Sequence, residues 1–172
     1  MAHDNKIKRS TTGDLNTWQI IHTLQNHYIK TIATYKDKIY IFSSTGTGAN
    51  AVGHMTYSSS GDKGSWITKS IGNVLPIKAH EWNGSLWVAA RQMVAVSGAV
   101  SSTHESGVFE YDGTNLVKKY DAAIDGFSYT VGLADFNGAI FAGLGTGWQA
   151  DGPTELVFSK DRGETWRKAC TI

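Results

Sequence analysis

Residues 159–166 read Ser159-Lys160-Asp161-Arg162-Gly163-Glu164-Thr165-Trp166, a tight turn that runs into a tryptophan at the start of a strand. Each residue type has a physical reason to be there. A short carboxylate accepts hydrogen bonds from turn amides, and glycine takes the positive φ that a sharp reversal needs; an indole supplies a large apolar peg for the adjoining core. Ser159, Asp161, Gly163, Thr165 and Trp166 are therefore read as structural residues, and they predict a β-hairpin.

Echoes of this hairpin recur. Tyr35-Lys36-Asp37-Lys38-Ile39-Tyr40-Ile41, Trp82-Asn83-Gly84-Ser85-Leu86-Trp87-Val88 and Phe136-Asn137-Gly138-Ala139-Ile140-Phe141-Ala142 align as an aromatic residue, a two-residue turn and alternating apolar positions. Asn-Gly between apolar runs is a strong hairpin signal because both residues tolerate positive φ. Downstream of each lies a second hairpin, at Ser60–Trp66, Phe109–Leu116 and Phe158–Trp166. The first of these reads as an incomplete copy of 159–166 with its tryptophan one residue early, and the second keeps only Asp112-Gly113 and an apolar Leu116.

The 159–166 segment resembles the Asp-box, Ser-x-Asp-x-Gly-x-Thr-Trp, of BNR-repeat β-propellers such as the sialidases, and matches every specified position. The repeat is about 50 residues long with four short strands, the dimensions of a propeller blade. The expected fold is all-β, with three four-stranded blades near 28–73, 74–124 and 127–172, one further strand after Ser10–Trp18, and a tail over 1–9. Residues 10–172 would form a single domain. Trp18, Trp66, Leu116 and Trp166 would occupy one position in successive units. Propellers close with roughly four to eight blades, because an open ring leaves the apolar face of an end blade in water. Three blades then call for a partner, most simply a homodimer closing a six-bladed ring; a trimer, an open three-sheet prism and an excerpt of a longer propeller are the alternatives.

Composition narrows the function. Sixteen basic and fifteen acidic side chains nearly cancel, so no broad field favours nucleic acid or an anionic membrane as partner. No run approaches the roughly 20 apolar residues of a membrane span. Cys170 is the sole cysteine, which excludes an internal disulfide, and Met1–Arg9 lacks the apolar stretch of a secretory signal. The expected location is cytoplasmic, or on a virion or surface reached without that signal.

In blades of this kind the long second-to-third loops share one end of the fold, and the Asp-box turns lie at the other. Those loops are Ser43–Gly53, Arg91–Glu105 and Gly143–Glu155. Trp148 in a glycine-rich loop offers a flat apolar plate for a sugar or base, beside the amide of Gln149 and the carboxylate of Asp151. Arg91 and Gln92 from the second loop, and Thr47 and Asn50 from the first, complete the expected ligand-binding set, with His54, His104 and Glu105 behind them. No metal-ligand spacing and no cofactor motif occurs, so neither a metal nor a cofactor is expected. The sialidase resemblance implies three arginines on a substrate carboxylate, but the only arginines are Arg9, Arg91, Arg162 and Arg167, and no Arg-Ile-Pro motif occurs. The resemblance therefore extends to the scaffold, and no catalytic residue is assigned. The leading expectation is a non-catalytic, lectin-like module for a glycan or small molecule. A structural platform is one alternative; a glycoside hydrolase using Glu105, Asp151 and Glu155 is another.

Overall fold

The structure, a computed structural model, describes residues 5–92, 104–146 and 154–171. The protein is all-β. Strands β1 (Asn5–Arg9) and β2 (Gln19–Leu24) form an antiparallel pair. Then come β3 (Tyr28–Tyr35), β4 (Lys38–Thr45), β5 (Val52–Ser58) and β6 (Ile67–Gly72), a four-stranded meander in chain order. A second meander follows in β7 (Leu75–Trp82), β8 (Ser85–Arg91), β9 (Gly107–Tyr111) and β10 (Leu116–Asp121), and a third in β11 (Tyr129–Phe136), β12 (Ala139–Gly145), β13 (Glu155–Ser159) and β14 (Arg167–Thr171). One residue pair, Tyr129 with Arg91, joins the second and third meanders into a single curled sheet. Among the described residues no helix is long and apolar enough to cross a membrane.

The repeat extends to backbone detail. All three first hairpins are two-residue turns with both φ values positive: Lys36 and Asp37 at 45° and 57°, Asn83 and Gly84 at 50° and 72°, Asn137 and Gly138 at 49° and 73°. Such turns match the right-handed twist of the strands they join. Each first strand also carries a β-bulge seven positions from its hairpin's close, leaving Lys30, Ile77 and Val131 without a register partner. A bulge adds a residue and increases the local bend. It also explains how Pro76 is tolerated inside β7, since a bulge relieves the ladder of one donor.

Serines hold the second hairpins of the first and third meanders, and Asp112 holds that of the second by accepting the amides of Thr114 and Asn115. Ser159, 1% exposed, accepts the amides of Gly163 at 2.9 Å and Asp161 at 3.3 Å and donates its hydroxyl to Asp161 Oδ1 at 2.8 Å. The Asp161 carboxylate in turn takes the Thr165 amide at 2.9 Å and hydroxyl at 2.5 Å, and these bonds, Thr165 first, hold its pKa down at about 2. The earlier turns follow a different plan. In Ser10–Trp18 and Ser58–Trp66 glycine precedes the aspartate: Ser10 caps the Gly13 amide at 2.7 Å and Ser58 caps Gly61 at 2.8 Å. The backbone carbonyls of Asp14 and Asp62, not their carboxylates, receive the amide and hydroxyl of Thr17 and Ser65. The 58–66 turn is thus a faithful copy of 10–18 and not a degraded copy of 159–166. Freed from the turn, the Asp62 carboxylate binds Arg9 at 2.8 Å.

That contact corrects the expectation of a tail over 1–9 and a lone N-terminal strand. Residues 5–9 are β1, the partner of β2, and the 10–18 turn joins them as 58–66 joins β5 to β6. The β1–β2 hairpin sits beside the first meander, with His22 stacked on Trp66 at 5.7 Å and 17°.

Two cores result. Phe42, Met55, Tyr40, Leu86, Val88 and Phe109 fill the space between the first and second meanders; Trp82, Trp87, Ala89, Val108, Ile140 and Leu144 fill that between the second and third. Leu116 and Trp166 pack against these cores. Trp18, at the equivalent position, is 50% exposed because no described sheet covers that side of the hairpin. Gly163, φ 78°, lets the last turn close onto the core, since a Cβ there would lie 3.0 Å from Trp87 Cη2 and from Lys119 Cβ. Gly84, φ 72°, has no atom within 4 Å of such a Cβ. Gly84→Ala is therefore expected to cost about 1 kcal/mol, from positive φ alone, and Gly163→Ala roughly 1–3 kcal/mol beyond it from the added clash. Urea unfolding of the two variants measures the difference.

Candidate functional site

The two-residue turns stand at one end of the strands. At the other end the longer connections leave Thr45, Arg91 and Gly145, and the first strands come together side by side, β3 against β7 and β7 against β11. Arg91 joins two of them: it pairs in register with both Leu75 and Tyr129, and its guanidinium lies over the Tyr129 ring at 5.6 Å. Lys30, the bulge residue of β3, stands over Tyr28 at 5.8 Å. Burial, and then the charge of Arg91, push the Lys30 ammonium below the usual lysine range. Among the described residues neither cation has a carboxylate within ion-pair distance. Two cations so placed attract an anion.

Beside Arg91, the Gln92 amide donates to Ser128 O at 2.9 Å and the Ser128 hydroxyl to Thr146 O at 2.9 Å, which fixes the start of the second loop against the third. A second cluster lies on the face of the first meander that the β1–β2 hairpin adjoins. His27 Nδ1 is 2.9 Å from the hydroxyl of the fully buried Ser43, His54 Nε2 is 2.8 Å from Thr45 Oγ1, and the two imidazoles lie 4.5 Å apart. Burial lowers the pKa of both, with His27 adding to the effect on His54 and His22 to that on His27. The pair favours the neutral state, because a second proton would face the first across a short, partly dry gap.

The remaining expected residues have other partners. His104, 2% exposed, donates from Nε2 to Ala51 O at 2.9 Å and so clamps the first loop to the second. Glu105 pairs with Lys118 at 2.7 Å, and Lys118 also reaches Asp121 at 3.1 Å. Thr47 and Asn50 are exposed on one short helical turn, where the Asn50 amide donates to Thr47 O at 3.3 Å. Glu155 is paired with Lys168. Trp148, Gln149 and Asp151 lie outside the described residues. Asp135, aligned with Glu81 near the first hairpin, meets His80 Nε2 at 2.8 Å, so it bridges two first strands at the turn end.

The loop end thus holds two groups: Arg91 and Gln92 from the expected set with Lys30, Tyr28 and Tyr129, and, separately, His54 from that set with His27, Ser43 and Thr45; the added residues were passed over by sequence reasoning. Tyr28 and Tyr129 were accessible to it, since each begins a first strand seven residues before the hairpin aromatic. Lys30 was not, because only the bulge turns it toward Arg91. No protein-family model matches the chain, and no curated protein is similar to it.

With folded pKa values below the unfolded value of about 6.5, His27 and His54 bind protons more weakly in the native state. Their contribution to stability is complete above that pH and is lost as pH falls through it toward their folded values. In an NMR titration His54 is expected to protonate below pH 6.5, and in His27→Gln its midpoint is expected to rise.

Proposed function

We propose that this chain is a non-catalytic recognition module on an Asp-box β-propeller scaffold, which binds an acidic glycan or small anionic molecule at the loop end. The observation that carries the reading is the unpaired cation pair, Lys30 and Arg91, resting on Tyr28 and Tyr129 where the first strands meet. A guanidinium offers a planar fork to a carboxylate, and aromatic rings offer apolar plates to a sugar face. Trp148, Gln149 and Asp151 join this reading on their sequence alone. A hydrolase is disfavoured by the engagement of Glu105 with Lys118 and Glu155 with Lys168, which leaves neither carboxylate free for acid–base work.

Each meander would be a blade, and the β1–β2 hairpin the outer half of a fourth. Closure of the ring would use a second copy. Support comes from two exposed apolar faces at opposite ends of the stack: Trp18 and Ile20 on the hairpin, 50% and 47% exposed, and Val131 on the third meander, 56% exposed, beside the stacked Phe141 and Phe158. The third-meander face of each copy would pack on the hairpin of the other, and the contact made twice closes a two-fold ring.

Glycan-array screening followed by calorimetry is expected to find an acidic ligand whose affinity falls at least tenfold in Arg91→Gln, with unfolding unchanged. Retained affinity in that variant overturns the assignment. Light scattering at micromolar concentration is expected to report a dimer, and Phe158→Asp a monomer; a wild-type monomer overturns the closure.

A further inference from the structure

A second site lies at the turn end, remote from Arg91, in the cleft between the first and second meanders. Four tyrosines line it. Tyr40 is at its centre, with Tyr57 stacked at 5.7 Å, Tyr111 edge-on at 5.8 Å and Tyr35 tilted at 6.2 Å. Tyr35 and Tyr40 are 5% and 4% exposed. Tyr111 donates to Gly113 O at 2.7 Å, whereas the hydroxyls of Tyr35, Tyr40 and Tyr57 open onto the cleft with no protein partner among the described residues.

Three lysines surround these rings. Lys38 and Lys69 stand over Tyr57 at 5.5 and 5.8 Å and Lys36 over Tyr35 at 5.0 Å. Among the described residues none of the three has a carboxylate within ion-pair distance, although the chain as a whole is nearly neutral. The neighbouring Asp112 carboxylate is occupied by its own turn, accepting the amides of Thr114 and Asn115, both at 2.7 Å. The part of the cleft against Tyr40 and Tyr57 measures about 150 Å³, and a shallower space of about 610 Å³, sharing Tyr35, Lys36 and Lys38 with it, is edged by Thr34, Asp37 and Glu81.

We propose that this cleft binds a sulfate or phosphate ester carried on a sugar. The inner cavity is of a size for one tetrahedral oxyanion, and ammonium groups act on it as point charges that need no planar fork; the absence of arginine from the lining argues against a planar carboxylate as the preferred anion. Tyrosine O–H groups donate to oxyanion oxygens, and burial together with the neighbouring tyrosines raises the Tyr40 pKa, so it remains a donor at neutral pH. The outer space supplies what a sugar needs: Asp37 and Glu81 accept hydroxyl hydrogens, while their charge keeps the anionic group on the lysine side. A surface lysine scatter would have neither the cleft nor tyrosine hydroxyls open to it. The loop-end reading does not enter this argument.

The test is NMR titration of the full chain with sodium sulfate and sodium phosphate against sodium chloride at equal ionic strength, followed by calorimetry with a sulfated sugar, a phosphorylated sugar and their unmodified parent. Saturable shifts in Tyr40, Tyr57, Lys38 and Lys69 are expected with the tetrahedral anions. Either ester should bind at least tenfold more tightly than the parent, and the tighter of the two names the source of the anion. Lys38→Gln combined with Lys69→Gln should weaken it at least tenfold, and Tyr40→Phe, which keeps the ring, several-fold. The ester-induced NMR shifts of Tyr40 and Lys69 should persist in Arg91→Gln, which separates this site from the loop end. Equal shifts with chloride, equal affinity for the parent sugar, or full affinity in the lysine double variant would overturn the proposal.

Discussion

Burial of β8 from both sides is the constraint around which the protein is arranged. Leu86, Trp87, Val88, Ala89 and Ala90 are all fully buried, so both faces of this strand must be covered. Leu86, Val88 and Ala90 face the first meander, and Trp87 and Ala89 face the third. A strand side chain alternates between faces, so a continuous apolar run can be satisfied only by a layer on each side. The small residues Ala89 and Ala90 allow close approach. Trp87 fills the wider gap, and the last turn is brought down on it at Gly163. The serine-capped turn at 159–166 therefore serves the core of the neighbouring meander as much as its own hairpin.

Stacking the meanders face to face has an electrostatic consequence at each end. First strands lie side by side, and the bulge near their loop ends turns Lys30 toward Arg91 in a place that no carboxylate among the described residues reaches. At the turn end the same stacking draws the tyrosines of two meanders into one cleft, with lysines from the first meander at its rim. Elsewhere some charges are paired, as in Glu110 with Arg162 at 2.9 Å and Lys119 with Glu164 at 2.7 Å, while Lys6, Lys8, Lys63, Lys78, Lys160 and Arg167 are exposed and without an ion pair among the described residues. Lys30, Arg91, Lys38 and Lys69 differ from those exposed cations in standing over tyrosine rings. An uncompensated charge beside a partly dry surface raises the free energy of the unliganded protein and gives an anion a reason to bind.

Much of the scaffold was legible in the sequence because it is set by local chemistry. Asn83-Gly84 and Asn137-Gly138 declare two-residue turns, and Lys36-Asp37 follows by alignment despite carrying no glycine. Ser159, Asp161 and Gly163 declare the capped turn. The second turn plan was hidden in plain view: Ser10, Gly13, Asp14, Thr17 and Trp18 match Ser58, Gly61, Asp62, Ser65 and Trp66 position for position, but comparison with 159–166 directed attention to the wrong template. β1 was missed because Asn5–Arg9 is polar and short, and its strand character comes from pairing with β2 and from Arg9 reaching Asp62. Of the site residues, Arg91 could be singled out by its place at a loop mouth. Lys30, His27 and the tyrosine cleft could not, since each depends on a neighbour far away in the chain.

The sequence by itself determined the hairpins, their repetition and the all-β class, because turn geometry and strand alternation are decided by residues within a few positions of one another. Tertiary structure alone decided which charges stayed unpaired. Glu105 and Glu155 looked available and are bound by Lys118 and Lys168, whereas Lys30, Lys38 and Lys69 looked like ordinary surface lysines and stand beside aromatic rings with no carboxylate of the described residues in reach. The reason is physical: a charge is satisfied by whatever lies within a few ångströms of it, and which groups lie there is fixed by how the sheets stack.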